Sequence, residues 1–311
     1  MKFAAKDVAK RLIPLVNRGT ERLGVRLQPV HYYSEVPDRR ALRLTRREWA
    51  RPITLTGVHW DLDEQIGWLR GVCAPYAAEV AGLREWRELG KDRGPGYGPT
   101  ESTVLHCFVR STRPERIIEI GSGVSTVISR RAADRNVAEG LADSAITCIE
   151  PFPRQALLDF PGVRVDRRRA QVVEEAAFAE LCAGDMLFID STHAVRTGSE
   201  LARVYLEVIP NLAPGVVLHI HDVMLPYLFS PDVLDSPFDW QETTLLAALL
   251  TRNQSLKVLA CESALHHDRQ EELRAILPDY RPVALRDGLF AGYGRTDENH
   301  QFPSSIWLAT V

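Results

Sequence analysis

The chain has 311 residues, with 38 Lys and Arg against 41 Asp and Glu for a net charge of −3, and it is 45% hydrophobic and 25% charged. These are globular proportions, enough for a large core in one or two domains, and they exclude a fibrous or disordered chain. No run approaches the roughly 18 apolar residues of a membrane span, and Lys2, Lys6, Asp7, Lys10 and Arg11 interrupt the N-terminus as no secretory signal tolerates, so a cytoplasmic protein without membrane contact is expected.

The charge is uneven. Residues 1–51 hold 13 basic and 5 acidic side chains, or +8, which leaves −11 for the remainder. Arg39, Arg40, Arg43, Arg46, Arg47 and Arg51 suit either an acidic partner or a solvated face pairing with the acidic body, and the latter is preferred. Cys73, Cys107, Cys148, Cys182 and Cys261 are odd in number and widely spaced, the pattern of buried free thiols.

Val8, Leu12 and Leu15 fall at helical spacing over 3–16, with Pro14 expected to end or kink that helix. The segment is expected to dock on its own chain, with a homodimer through the N-terminal extension as the alternative. His31–Asp38 reads as a polar-aromatic loop, and about 61–87 as a second helical region. The glycines and prolines of 90–100 then mark a boundary or hinge, giving an extension over 1–99 and a main domain over 100–311.

A helix from Thr100 leads into Arg116–Ile120, a β-branched run suited to a strand buried on both faces of a parallel sheet. Gly121, Ser122 and Gly123 break it into a tight turn, and Ser125 and Thr126 begin the next helix, whose first N–H groups point back over the turn. Such a turn takes a nucleotide-type ligand. Ala145–Ile149 is the second strand, and Glu150 at its tip is placed to accept ribose hydroxyls beside the glycine turn. Val163–Val165 is the third, with Gln171 positioned to flank a base. A helix over 173–181 precedes strand four, Asp185–Asp190, which is followed by His193. Helix 200–209 leads to strand five, Val216–Asp222, which carries His219 and His221. Helix 241–250, strand 255–261, helix 269–277 and a terminal strand 305–311 complete the pattern. Alternation of strand and helix implies a parallel sheet covered on both faces, with ligands at the carboxyl ends of its strands, where Glu119, Glu150, Asp190 and Asp222 all fall.

The turn lacks the third glycine of a dinucleotide fingerprint and has Glu119 two residues before the first, a pattern similar to motif I of class I S-adenosylmethionine (SAM) methyltransferases. With GYGPTE at 96–101, FIDSTHAV at 188–195 and HIHDVMLPY at 219–227, the chain resembles the methyltransferase 24-type branch. The resemblance implies an α/β fold: a Rossmann-like, seven-stranded, mostly parallel sheet with an antiparallel last strand, plus a helical N-terminal extension. It further implies SAM held by Glu119, Gly121, Ser122, Gly123, Ser125, Glu150, Gln171 and Asp190. For an oxygen acceptor the proton falls to His193, His221 or Asp222, since imidazole titrates near neutrality. Asp190 and Asp222 also match the places of a divalent ion in catechol-type O-methyltransferases, for which hard oxygen donors suit Mg2+, although Val223 stands where those enzymes carry asparagine. His219 reads as a core histidine and the pair His266-His267 as a solvated approach to a helix.

The expected reaction is methyl transfer to a small-molecule or modified-peptide acceptor; Tyr32, Tyr33, Tyr97, Tyr227 and Trp240 are candidates to line its pocket, since aromatic faces suit a flat or glycosylated natural product, although each taken singly reads as packing. Two alternatives stay open: an NAD(P)-dependent dehydrogenase, and an RNA-directed or noncatalytic binding protein using the basic first 51 residues. The absence of aromatics alternating with those arginines disfavours nucleic acid.

Overall fold

A computed structural model of the chain describes residues 12–31, 33–34, 36–80, 97–229, 233–234, 239–284, 290–291 and 302–311. Tyr32, the start of the first expected helix and most of the glycine-rich stretch lie outside the described residues. The chain divides into two compact units, 1–51 with 233–239, and 52–232 with 240–311.

In the first unit residues 12–20 are helical and run on past Pro14, because proline forbids the bond at its own nitrogen but not the turns that follow. Asp38 accepts from the N–H groups of Arg40 and Ala41 and so starts the helix Arg39–Leu44. The Arg39 guanidinium donates to the carbonyls of Val233 and Leu234, which joins the two stretches of this unit.

The second unit is built on a seven-stranded sheet: β1 (Arg116–Ile120), β2 (Ala145–Ile149), β3 (Val163–Asp166), β4 (Met186–Ile189), β5 (Val217–Ile220), β6 (Leu256–Cys261) and β9 (Ile306–Thr310). Its order is β3-β2-β1-β4-β5-β9-β6, with β9 antiparallel to both neighbours and the other ladders parallel. A short pair, β7 (Val283–Ala284) and β8 (Phe290–Ala291), forms a second sheet that the sequence pattern did not suggest.

Side chains alternate between the faces. Ile118, Ile120, Leu187, Ile189, Leu218 and Ile220 pack with Leu201, Val204 and Leu246 on one side. Ile117, Met186, Phe188 and Val217 pack with Leu69, Phe108 and Ile128 on the other. Helices therefore cover both faces, and each fully buried large apolar side chain contributes roughly 1.5–3 kcal/mol. The helix Leu62–Cys73 belongs to this unit and lies against the helix Pro99–Thr112 and β6.

Some boundaries differ from expectation. The helix read over 173–181 is only Glu175–Ala179, preceded by a 3-10 turn at Ala170–Val172. The helix read over 200–209 is α-helical for Glu200–Arg203, widens to a π-helical turn over Val204–Val208, and tightens to a 3-10 turn at Ile209–Asn211 around Pro210, which has no N–H to continue the ladder. His266 is not a solvated approach: it is fully buried in the helix Glu262–Asp268, with its Nδ1 2.7 Å from the Tyr280 hydroxyl. All five cysteines are free, four of them buried and Cys182 exposed. Among the described residues no helix is long and apolar enough to cross a membrane.

Candidate active site

The glycine turn follows β1 at the carboxyl edge. Gly121 has φ +113°, and a Cβ there would stand 2.0 Å from the carbonyl oxygen of Asp190, so a glycine is required for the turn to close against the end of β4. Beneath it Glu119 is fully buried. Its carboxylate accepts from the Ser125 hydroxyl at 2.5 Å and the Thr126 hydroxyl at 2.7 Å, while Thr126 also takes the Gly123 N–H. Burial drives the Glu119 carboxyl up to about 7 against the pull of these hydroxyls. Glu119 and Ser125 thus hold the turn onto its helix from below.

On the other side of the turn, Glu150 accepts from the Phe152 N–H at 2.7 Å and from the Ser122 hydroxyl at 3.3 Å. These partners fix the carboxylate and leave lone pairs for two further hydroxyls. Gln171 lies in the turn after β3 and donates to the Gly198 carbonyl at 2.9 Å.

Asp190, His193, His221 and Asp222 come together where β4 and β5 end, and one donor atom from each lies within 4.8 Å of the others. His193 Nε2 is 3.4 Å from Asp190 and 3.3 Å from Asp222, and His221 Nδ1 is 3.4 Å and 3.5 Å from the same two carboxylates. Both His193 (φ +54°) and Asp222 (φ +56°) adopt the left-handed conformation, which non-glycine residues accept at a cost of about 1–3 kcal/mol and which here turns them toward each other. Asp190 keeps 24% of its side-chain surface exposed, against 7% or less for the other three.

Each imidazole carries a second carboxylate on its far nitrogen. His193 Nδ1 is 2.8 Å from Glu242, whose other oxygen accepts from the Tyr205 hydroxyl on the π-helical turn. His221 Nε2 is 3.1 Å from Glu101, which also accepts from the Gly98 N–H, the Ser304 N–H and the Ser305 hydroxyl. Ser304 donates its hydroxyl to Asp222 as well. Burial disfavours charge on these imidazoles, but the carboxylates prevail: His193 is pushed up to about 10, and Asp222, Glu101 and Asp190 raise His221 well above the ordinary histidine value. Burial likewise opposes ionisation of Asp190 and Asp222, and the two histidines hold both below the usual carboxylate range.

The sequence-derived candidates therefore fall into three neighbouring groups: Glu119 and Ser125 under the turn, Glu150 and Ser122 beside it, and the two-aspartate, two-histidine cluster joined to it through Asp190. Glu101 and Glu242 were not singled out from the sequence, although Glu101 closes the GYGPTE stretch. Tyr97 donates or accepts at 2.9 Å with His219, which is buried and stacked on Trp307, and the Trp240 ring lies 4.9 Å from that of His193.

A seven-stranded sheet with its final strand inserted antiparallel, and acids beside a glycine turn at its carboxyl edge, defines the fold as Rossmann-like. Residues 118–223, from within β1 to just past the end of β5, match the methyltransferase 24 family model, described as a methyltransferase domain. Among solved structures it is similar to a Klebsiella pneumoniae protein whose O-methyltransferase assignment is itself provisional, at 15% identity and a TM-score of 0.44 over 79% of this chain and 98% of that one. It is also similar to the O-methyltransferase TomG from Streptomyces achromogenes in complex with SAM, at 15% and 0.39 over 82% and 91%. An O-methyltransferase from Bacillus cereus with SAH matches at 12% and 0.40 over 76% and 91%. No curated protein sequence matches.

Proposed function

We propose that this chain is a methyltransferase that uses SAM to methylate an oxygen of a small-molecule or modified-peptide acceptor. The observation that carries the reading is Asp190. Its carbonyl closes against Gly121 of the cofactor turn, and its side chain faces His193 and His221, so one residue joins the two halves of the chemistry.

The residues suit this cofactor. Glu150, oriented by Phe152 and Ser122, meets the ribose hydroxyls; Gln171 stands beside the base; and the acids of the edge favour a ligand carrying an ammonium and a sulfonium over one carrying a pyrophosphate. When bound, SAM supplies an electrophilic methyl group. Asp190, the most exposed member of the cluster, accepts a hydrogen bond from the acceptor hydroxyl and aims its oxygen at the methyl group, with His193, His221 and Asp222 holding that carboxylate in place. The O-methyltransferase titles of the solved structures above agree with an oxygen acceptor.

Calorimetry on the full chain tests the reading. S-adenosylhomocysteine binds one to one and NAD produces no heat. Glu150→Ala weakens the former by at least about tenfold through loss of two charge-assisted hydrogen bonds. Unchanged affinity in that variant removes Glu150 from the ribose role, and NAD binding replaces the reading by a dehydrogenase. Methyl transfer from labelled SAM to a panel of phenolic and sugar hydroxyls then identifies the acceptor.

A further inference from the structure

We propose that Asp190, His193, His221 and Asp222 form a binding site for a divalent transition ion of the Zn2+ or Fe2+ class, not for Mg2+, with Glu242 and Glu101 positioning its two imidazoles. The ion's use in methyl transfer rests on the function proposed above, but the site does not.

The first argument is distance. The four donor atoms form a closed ring alternating nitrogen and oxygen, with edges of 3.4, 3.3, 3.5 and 3.4 Å and no pair farther apart than 4.8 Å. A point equidistant from such a ring lies about 2.1–2.4 Å from each atom, at or slightly beyond the bond lengths of imidazole nitrogen and carboxylate oxygen to zinc-sized ions.

The second is an unmet demand. His221 is 2% exposed, yet neither ring nitrogen makes a hydrogen bond, although carboxylate oxygens stand 3.1–3.5 Å away. An ion at the centre of the donor ring satisfies the nitrogen where a proton does not.

The third is what stands behind the ring. Metal-bound histidines donate their other N–H to a carboxylate, which fixes tautomer and ring orientation. Here His193 Nδ1 bonds Glu242 at 2.8 Å, and Glu101 stands 3.1 Å from His221 Nε2, each acid held in turn by Tyr205 or by Ser304 and Ser305. Donor chemistry then selects the ion. Mg2+ and Ca2+ take oxygen ligands, whereas a set that is half imidazole suits borderline transition ions. Asp190 is the ligand on the open side, so an acceptor oxygen reaches the ion past it.

The test is a titration of full-length protein first stripped with EDTA, using Zn2+ and Co2+ with Mg2+ as competitor. One ion per chain binds, Co2+ develops the visible bands of a four- or five-coordinate site, and a hundredfold excess of Mg2+ fails to displace it. Glu242→Gln lowers Co2+ affinity about 10–100-fold and His221→Ala abolishes the bands, while both variants still bind S-adenosylhomocysteine. The proposal is overturned if the unmodified protein takes up no Zn2+ or Co2+, if Mg2+ competes on equal terms, or if a folded His221→Ala protein keeps its Co2+ spectrum. Loss of S-adenosylhomocysteine binding in the unmodified protein with Co2+ binding intact overturns the cofactor assignment alone.

Discussion

At the scale of single residues, the turn rests on two requirements that the sequence states differently. Gly121 is legible because a glycine after a β-branched run signals a bend, but its partner, the Asp190 carbonyl, is 69 residues away and visible only in the fold. Gly121→Ala combines a positive φ with a backbone collision and is expected to cost about 3 kcal/mol or more, measured by urea unfolding, with S-adenosylhomocysteine binding lost in parallel. Glu119 is legible as an acid before the turn, yet its place under the turn, bonded to Ser125 and Thr126, is a packing result. Its raised pKa means the folded state prefers the protonated form. That contribution is whole below about pH 4.5 and is lost as pH climbs through about 7. Glu119→Gln, which cannot ionise, is therefore expected to gain about 2–3 kcal/mol on the native chain between pH 5 and pH 8, read from thermal melts across that range; parallel pH profiles would exclude the shift.

Elements were read well where period and burial agree. The seven strands of the main sheet lie within a residue or two of their expected positions, because apolar runs flanked by turn residues admit few other structures. The π-helical turn at Val204–Val208 was not legible from the apolar spacing, and it carries Tyr205, whose hydroxyl bonds Glu242. Glu101 and Glu242 escaped for a similar cause. An acid in the first turn of a helix is ordinary for a solvated helix end, and only packing reveals that these two are buried against histidines. Between elements, Arg110 ties the helix Pro99–Thr112 to its neighbours. It is 1% exposed and pairs with Glu79 and Glu139 while also donating to Asn136. Arg110→Met leaves Glu79 with Arg135 and His106 alone and strips the Asn136 carbonyl oxygen of its donor, and is expected to cost about 1–3 kcal/mol in denaturant unfolding, with the affinity for S-adenosylhomocysteine unchanged.

For the molecule as a whole, the parallel sheet covered on both faces and the gathering of acids at one edge followed from alternation, whereas the order of strands and the division into units did not. Residues 52–80 read as part of an extension because glycine and proline cluster after them, but Leu69, Val72 and Cys73 complete the core beside β6 and the helix Pro99–Thr112. A ligand seated at the carboxyl edge of this sheet binds only the folded chain. Saturation with S-adenosylhomocysteine at a hundred times its Kd is expected to add about 2.7 kcal/mol of stability, visible as a higher Tm in calorimetry, while NAD leaves Tm unchanged. The insertion of β9 between β5 and β6 also imposes an order on synthesis. Ser304 and Ser305, which tether Asp222 and Glu101, emerge from the ribosome after every other component of the acidic rim, so a nascent chain halted before Phe302 has a complete glycine bend but an unbraced histidine pair. A chain cut before Phe302 is therefore expected to keep its glycine bend while losing both the serine braces and the strand that joins β5 to β6.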